Sequence, residues 1–565
     1  MRSSREVTAE KLRGGYYTPD DLIRRCLDRI TALTAGRTGL SALEPSAGNG
    51  AFVRGLAGHP LSDRISALTA IEPSPEAVAQ CRVAAAGAPF EVSVVAGSAL
   101  VAEHRSPAVF DVAVGNPPFV RFQFVGAGDA AAAADLAREL GVTVAGVANL
   151  WLPVLLAALS ALRPDGAFAF VVPAELFTGV SAGAARSWLA AHAGRLRVDL
   201  FAPGSFPGVL QEVVIISGTR RPPDSQLRQQ LELHEHGHAG SSRWRHVIGT
   251  DSGSWTGYLL RPGLLGALAE AAELAGVRRL GELARFEVAT VTGANAFFTV
   301  NDATLQAYRL SPWALPLLPR ARHAPGLRYT AADHATLQAA GGRAHLLDFS
   351  AERPAPAGRL PLAYLGRGER DGLADRYKCR IRRPWYRVPV VPPGQLMLSK
   401  RSHRYPRLIS NDAAAYTTDT IYRGRLLPGT AAGTAAALVT SFHNSLTLLT
   451  AETEGRSFGG GVLELVPAEV SRLLVPASAA TGAGPLPAGA LARLDALARA
   501  GQPGDGEALV AETDRLLAGR PGGLPAALLA RLQEARWQLL ERRLRRGSQG
   551  GTRPAGDGGV MVSDG

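Results

Sequence analysis

The sequence predicts an α/β fold, a mostly parallel sheet covered by helices on both faces, followed by an α+β region and a helical C-terminus. Three observations carry that prediction. Short apolar runs alternate with helix-periodic stretches between residues 20 and 218, two of these runs stop at turns rich in glycine or proline, and the chain turns helical after Pro467. In order, residues 20–35 place Leu22, Ile23, Cys26, Leu27 and Ile30 on one side of a helix. A strand at 39–43 runs into LEPSAGNGAF, Leu43 to Phe52, and a further short helix. Ser66–Pro73 reads as a second strand ending in an acid, with a helix through Ala77–Val83 behind it. Further strands are expected at 91–97, 110–115, 166–173, 195–201 and 212–218. Ligands of such sheets sit at the carboxyl ends of the strands.

At 565 residues the chain is long for one hydrophobic core, so two or three domains are expected. Lys plus Arg number 61 against 49 Asp plus Glu, and the resulting formal charge of +12 attracts polyanions such as nucleic acid. Cys26, Cys81 and Cys379 lie far apart without metal-ligand spacing. That argues against a disulfide framework or a structural zinc site and fits a reducing compartment; no metal site is expected. The opening MRSSREVTAEKLRGG lacks the apolar core of a signal peptide. The apolar stretch around Leu150–Leu159 is too short to cross a bilayer and soon meets Arg163 and Asp165. The expectation is a cytoplasmic, nucleoid-associated protein with no membrane partner.

Two turns carry the chemistry. In the loop Glu44–Gly50, Gly48 and Gly50 let backbone approach a ligand closely, and Glu72, 22 residues beyond Gly50, can accept bonds from both hydroxyls of a ribose. A carboxylate at Glu44 would repel a pyrophosphate but could hold a cationic or amine-bearing ligand, so the loop does not suit a dinucleotide. The plain alternative is a tight strand–helix turn with no ligand. The second turn is DVAVGNPPFVRF, Asp111 to Phe122. Pro117 and Pro118 hold the backbone extended. The Asn116 carboxamide oxygen and the Pro117 carbonyl are acceptors for a planar base bearing an amine, and Phe119 offers a ring for it to stack on. Here the alternative is a rigid turn with a core phenylalanine. Gly14–Pro19, GGYYTP, precedes the first helix, where backbone amides and Thr18 could close over a carboxylate, or where Thr18 and Pro19 simply start the helix.

Residues 14–19, 43–52, 67–73 and 111–119 together resemble the ordered motifs of the amino-terminal-catalytic, or gamma, class of adenine-N6 DNA methyltransferases. The resemblance implies a class I S-adenosylmethionine-dependent methyltransferase domain with a Rossmann-like sheet, S-adenosyl-L-methionine as cofactor, and an adenine flipped out of double-stranded DNA. It implies that Tyr17, Thr18 and Pro19 border the methionine end of the cofactor and Glu44 its amino group. Gly48 and Gly50 form the loop beneath it, and Glu72 binds the ribose. Ser98 stands where the family often has an acid against the cofactor's adenine amine, and a hydroxyl accepts only a weaker, neutral bond there. Asn116 and Pro117 accept the target amine, Pro118 completes the turn, and Phe119 stacks on the base. Segments 287–298, 364–389, 400–411 and 442–467 resemble the specificity region of a subgroup related to fused type II restriction–modification enzymes.

On this reading residues 1–225 are the catalytic domain, 226–275 a polar linker, 276–470 a target-recognition domain, 471–546 a helical region and 547–565 a disordered tail. His234, His236 and His238 alternate in the linker without a cysteine and read as a solvated loop. Arg376–Arg407 holds ten Lys or Arg and no acid, interleaved with Tyr377, Trp385, Tyr386 and Tyr405. Arg382, Arg383, Arg387, Lys400, Arg401, Arg404 and Arg407 are therefore expected on DNA phosphates or base edges. Asn411 and Asn444 either read adenine edges or cap local turns. A site-specific adenine methyltransferase with a separately encoded restriction endonuclease or defence partner is the function implied. The alternatives are the same chemistry on cytosine N4, RNA or protein, and a non-catalytic DNA-binding subunit.

Overall fold

The computed structural model describes residues 18–548 apart from 105–107, 143–148, 180–181, 203–211, 223–228, 238–239, 250–252, 432, 459, 478–485, 502–505 and 521. It divides into two compact units, the first ending at Pro262 and the second beginning at Gly263. Among the described residues, no helix is long and apolar enough to cross a membrane.

The first unit is built on one nine-stranded sheet. Its strands in chain order are β1 (Leu40–Glu44), β2 (Ile65–Glu72), β3 (Glu91–Ala96), β4 (Phe110–Gly115), β5 (Leu162–Pro173), β6 (Ala193–Phe201), β7 (Val213–Arg220), β8 (Gln230–Gly237) and β9 (Gly240–Val247). Across the sheet they run β3-β2-β1-β4-β5-β7-β6-β8-β9. The first five are mutually parallel, and β7 enters antiparallel between β5 and β6. Helix α1 (Asp20–Leu33) buries Leu22, Ile23, Cys26, Leu27 and Ile30, the face that the periodicity predicts, and packs against β5 and β7. Each large apolar side chain so buried stabilises the fold by about 1.5–3 kcal/mol. Val112, Val114, Ala167, Ala169 and Val171 share the core with α1. Strand side chains alternate, so Phe168, Phe170 and Val172 point to the opposite face, and they are buried as well. Both faces of the sheet are thus covered, as the near-continuous apolar strands require.

Residues 230–247, expected within a linker, instead form β8 and β9. Strand β8 pairs parallel with β6 and antiparallel with β9, so this segment extends the sheet. Leu231 and Leu233 fill its inner face, while His236 Nε2 meets Asp199 Oδ1 at 2.8 Å and His234 pairs with Glu232. Two of the three histidines therefore sit on a strand and not in a solvated loop; His238 lies outside the described residues.

The second unit holds a five-stranded mixed sheet in the order Ala284–Glu287, Ile421–Leu426, Leu396–Ser399, Leu408–Asn411, Arg328–Tyr329. Its helices Thr434–Phe442, Ala490–Ala500 and Glu507–Leu517 share a core with that sheet through Leu438, Leu494 and Leu509. A helix does begin at Pro467 (Pro467–Arg472), but the strand Leu474–Pro476, paired with Val277–Arg279, interrupts the expected helical region before the helices resume at Ala490. The last helix runs Ala526–Ser548; the tail expected from 547 lies, from 549 onward, outside the described residues.

Candidate active site

Strand β1 is the point where chain order reverses in the sheet, with β2 and β3 on one side of it and β4 on the other. Such a switch opens a crevice beyond the carboxyl ends of the strands. A cleft of about 500 Å³ lies there, and Ser98, Glu72, Glu44 and Asn116, which follow or end β3, β2, β1 and β4 in that spatial order, all line it. Thr18, Gly48 and Pro118 complete the expected residues in its wall.

Two acceptors in this cleft have no partner. Glu44 is 1% exposed and its Oε2 makes no hydrogen bond. Burial, reinforced by the charge of Glu72, holds its carboxyl well above the usual range. Asn116 donates through Nδ2 to Thr18 Oγ1 at 3.0 Å, which leaves its Oδ1 buried and unsatisfied. Leaving such groups unpaired costs about 1–3 kcal/mol each, a cost that a donor-bearing ligand would remove. Glu72 is held differently: its two oxygens accept from the Gly48 and Ser74 amides, both at 2.9 Å. That fixes the loop and aims the carboxylate, and each oxygen keeps a lone pair. Burial, then the nearness of Glu44 and Glu72, pushes the Cys81 thiol up to about 11. The whole corner is electronegative, hostile to a pyrophosphate and receptive to an amine or a cation.

The two glycines divide their work. Gly48 has φ +54° with open space where a Cβ would stand, and it lines the cleft. Gly50 does not. At φ +78° it caps α2 (Ala51–Ala57), and a Cβ there would come within 2.8 Å of the Ala84 Cβ on α3 (Pro75–Ala85). Its smallness serves helix packing, a constraint separate from the place beneath a ligand that the resemblance implies. Ser98 Oγ accepts from the Leu100 amide at 3.3 Å. Phe119 packs partly buried against the core that includes α1, and neither it nor Pro117 or Pro19 is among the residues lining the cleft. Tyr17 lies outside the described residues. Sequence reasoning missed Glu76, Gln80, Phe124 and Asp129 in the cleft wall. Phe124, 58% exposed, was the legible one, an aromatic in the turn just past the double proline.

In the second unit the basic run breaks up. Arg407 donates to the carbonyls of Ala321, Ala324 and Gly326, and burial lowers its pKa. Arg382 donates to Thr292 O at 2.7 Å and Val291 O at 2.8 Å. Lys400 and Arg401 both pair with Glu464. Four of the seven side chains expected on DNA, Arg382, Lys400, Arg401 and Arg407, thus brace loops or neutralise a carboxylate within the protein. Arg383 and Arg387 are exposed and Arg404 half-buried. Asn411 clamps its own turn through Ala415 and also donates across to Gly394 O, and Asn444 caps the helix Ser445–Glu454 by accepting from the Thr447 amide. Both are local caps.

Residues 252–518 match the family model described as "Type II methyltransferase M.Eco57I, C-terminal domain". Type II methyltransferase M.XamI of Xanthomonas campestris pv. amaranthicola is 24% identical over 474 residues, 82% of this chain and 85% of its own. The solved type IIG restriction endonuclease BpuSI aligns with 95% of this chain and 66% of its own, at 13% identity and a TM-score of 0.39. A type I restriction–modification methyltransferase subunit from Streptococcus thermophilus aligns with 40% of this chain and 50% of its own, at 14% and 0.32. By sequence, then, the chain is similar to a type II methyltransferase C-terminal domain over residues 252–518 and to one type II methyltransferase over most of its length.

Proposed function

We propose that the chain methylates the N6 amine of adenine in double-stranded DNA, with S-adenosyl-L-methionine as donor, in restriction–modification or a related defence role. The observation that carries this reading is the pair of buried, unpartnered acceptors, Glu44 Oε2 and Asn116 Oδ1, in one cleft at the switch point of the sheet. Two separate amine-bearing partners satisfy them: a cofactor tail at Glu44 and a base at Asn116. The cleft fits S-adenosylmethionine on the same grounds, with Glu44 for its amino group, the Gly48 loop and Thr18 around its methionine end, Glu72 for the ribose and Ser98 near the adenine. When bound, that cofactor supplies an activated methyl group.

The protein's own part is positional and electrostatic. Asn116 Oδ1 and the Pro117 carbonyl accept the two amine protons of the target, drawing its nitrogen toward tetrahedral geometry and freeing the lone pair for in-line attack. All three cysteines are buried, and burial pushes up the Cys26 and Cys81 thiols in this unit, so a thiolate nucleophile has no support. Cytosine N4 would meet the same acceptors. The basic second unit and the M.XamI relationship favour DNA over a protein target.

Incubation with S-adenosylmethionine and unmodified genomic DNA, followed by nucleoside mass spectrometry, tests the reading. New N6-methyladenine is expected, and Asn116→Ala should lower turnover by about 10²–10³-fold with DNA affinity nearly unchanged. N4-methylcytosine alone would correct the base, and an Asn116→Ala protein of normal activity would refute the role given to that residue.

A further inference from the structure

Within the basic run one spot differs from the rest. The short helix Tyr377–Arg380 and Ile381 behind it put two large apolar side chains into solvent, Tyr377 at 63% and Ile381 at 62% exposure. Positions four apart share a helical face. By contrast the run's Trp385 is buried and Tyr386 packs against the same core. The two exposed groups are therefore not a leak from that core.

The platform beneath them is firmly held. Cys379 is fully buried, and Arg382 donates to two carbonyls of the adjoining loop. Gly293 of that loop, at φ +81°, approaches so closely that a Cβ would lie 2.7 Å from the Lys378 Cβ. A rigid base under an exposed apolar pair is what an insertion element requires, since little order remains to be gained on binding.

Charge surrounds the pair. Lys378 Nζ and Arg380 Cζ lie 5.4 and 5.6 Å from the Tyr377 ring centre, and Arg383 and Arg387 follow exposed. Among the described residues none of these four cations is paired with a carboxylate. Arg383 donates to the Arg380 and Arg382 carbonyls, which leaves its charge unneutralised; an apolar centre ringed by cations without carboxylate partners complements a nucleic-acid groove, where sugar edges and base methyls lie between two rows of phosphates.

We propose that Tyr377 and Ile381 form an apolar foot that enters a groove of duplex DNA, with Lys378, Arg380, Arg383 and Arg387 on the flanking phosphates. This rests on the DNA substrate proposed above and adds where, and by what contact, the second unit holds it. The foot supplies a contact that salt does not screen, whereas the cations supply one that it does.

Fluorescence anisotropy of the full chain against a labelled duplex pool of randomised sequence, repeated across salt concentrations, separates the two. Tyr377→Ala with Ile381→Ala should weaken binding about tenfold and leave the salt slope unchanged, while Tyr377→Trp retains affinity. Arg383→Ala with Arg387→Ala should flatten the slope by about one per charge removed. Both apolar positions are at the surface, so thermal denaturation should match wild type. If the apolar double variant binds DNA as wild type does, the foot is refuted and the methyltransferase reading stands. If poly-glutamate binds the wild-type surface and only that binding is lost in the variant, the surface belongs to an acidic peptide and the proposal falls. Failure of the wild type to bind any duplex would sink both readings together.

Discussion

Glu44 is a carboxyl that the fold keeps at a cost. Its ordinary value is 4.5, and burial together with Glu72 raises it well above that in the folded chain. Below pH 4.5 the folded and unfolded states both carry the proton and nothing is lost. Above it the unfolded chain ionises while the folded one resists, so stability falls as pH rises until the folded group also ionises. Glu44→Gln removes that penalty. Its melting temperature should equal wild type near pH 4 and exceed it by about 2–4 °C at pH 8, read by thermal denaturation at both. The same variant should lose about tenfold in S-adenosylmethionine affinity by calorimetry, because a charge-assisted bond becomes a neutral one. A stabilised variant with undiminished cofactor affinity would mean that Glu44 faces something else. The identity of this residue was legible in the sequence from its place at a strand end. Its orphaned oxygen was not, because burial and pairing belong to the assembled cleft.

Elements were legible where packing is one-sided and repeated, as in α1, whose five buried positions follow the 3.6-residue period. The outer strands were not. In β8 only Leu231 and Leu233 are deeply buried, and Glu232, His234 and His236 between and beyond them are polar groups tied up in ion pairs, so the text reads as a loop. Gly50 shows the same blindness at a turn: the spacing suggests a ligand loop, and the actual constraint is the Ala84 methyl of a neighbouring helix. Gly50→Ala should therefore cost about 2–4 kcal/mol, combining overpacking with a left-handed backbone. Gly48→Ala, with open space around it, should cost about 1–2 kcal/mol for the backbone alone. Denaturant melts of the two proteins check the order, and equal losses would contradict the packing argument.

Across the whole molecule, a net charge of +12 invites the idea that arginines serve DNA, yet many of them hold the second unit together. Arg543 is the extreme case. It is 3% exposed, pairs with the buried Glu452, and donates to the carbonyls of His403, Arg404 and Gly461. One side chain thus ties the last helix to the helix Ser445–Glu454 and to the basic loop that carries Arg401 and Arg404. Desolvating two ions costs several kcal/mol, which their attraction and the extra carbonyls only roughly offset. The pair should therefore be expensive to break and cheap to replace. Arg543→Met alone leaves Glu452 buried and uncompensated and should cost about 3–5 kcal/mol, whereas Arg543→Met with Glu452→Leu should recover most of that loss. A double-mutant cycle by denaturant unfolding measures it. Because Arg543 also positions the loop at His403 and Arg404, the double variant should stay weaker on DNA even after its stability returns. Recovery of both together would make the pair a matter of stability alone.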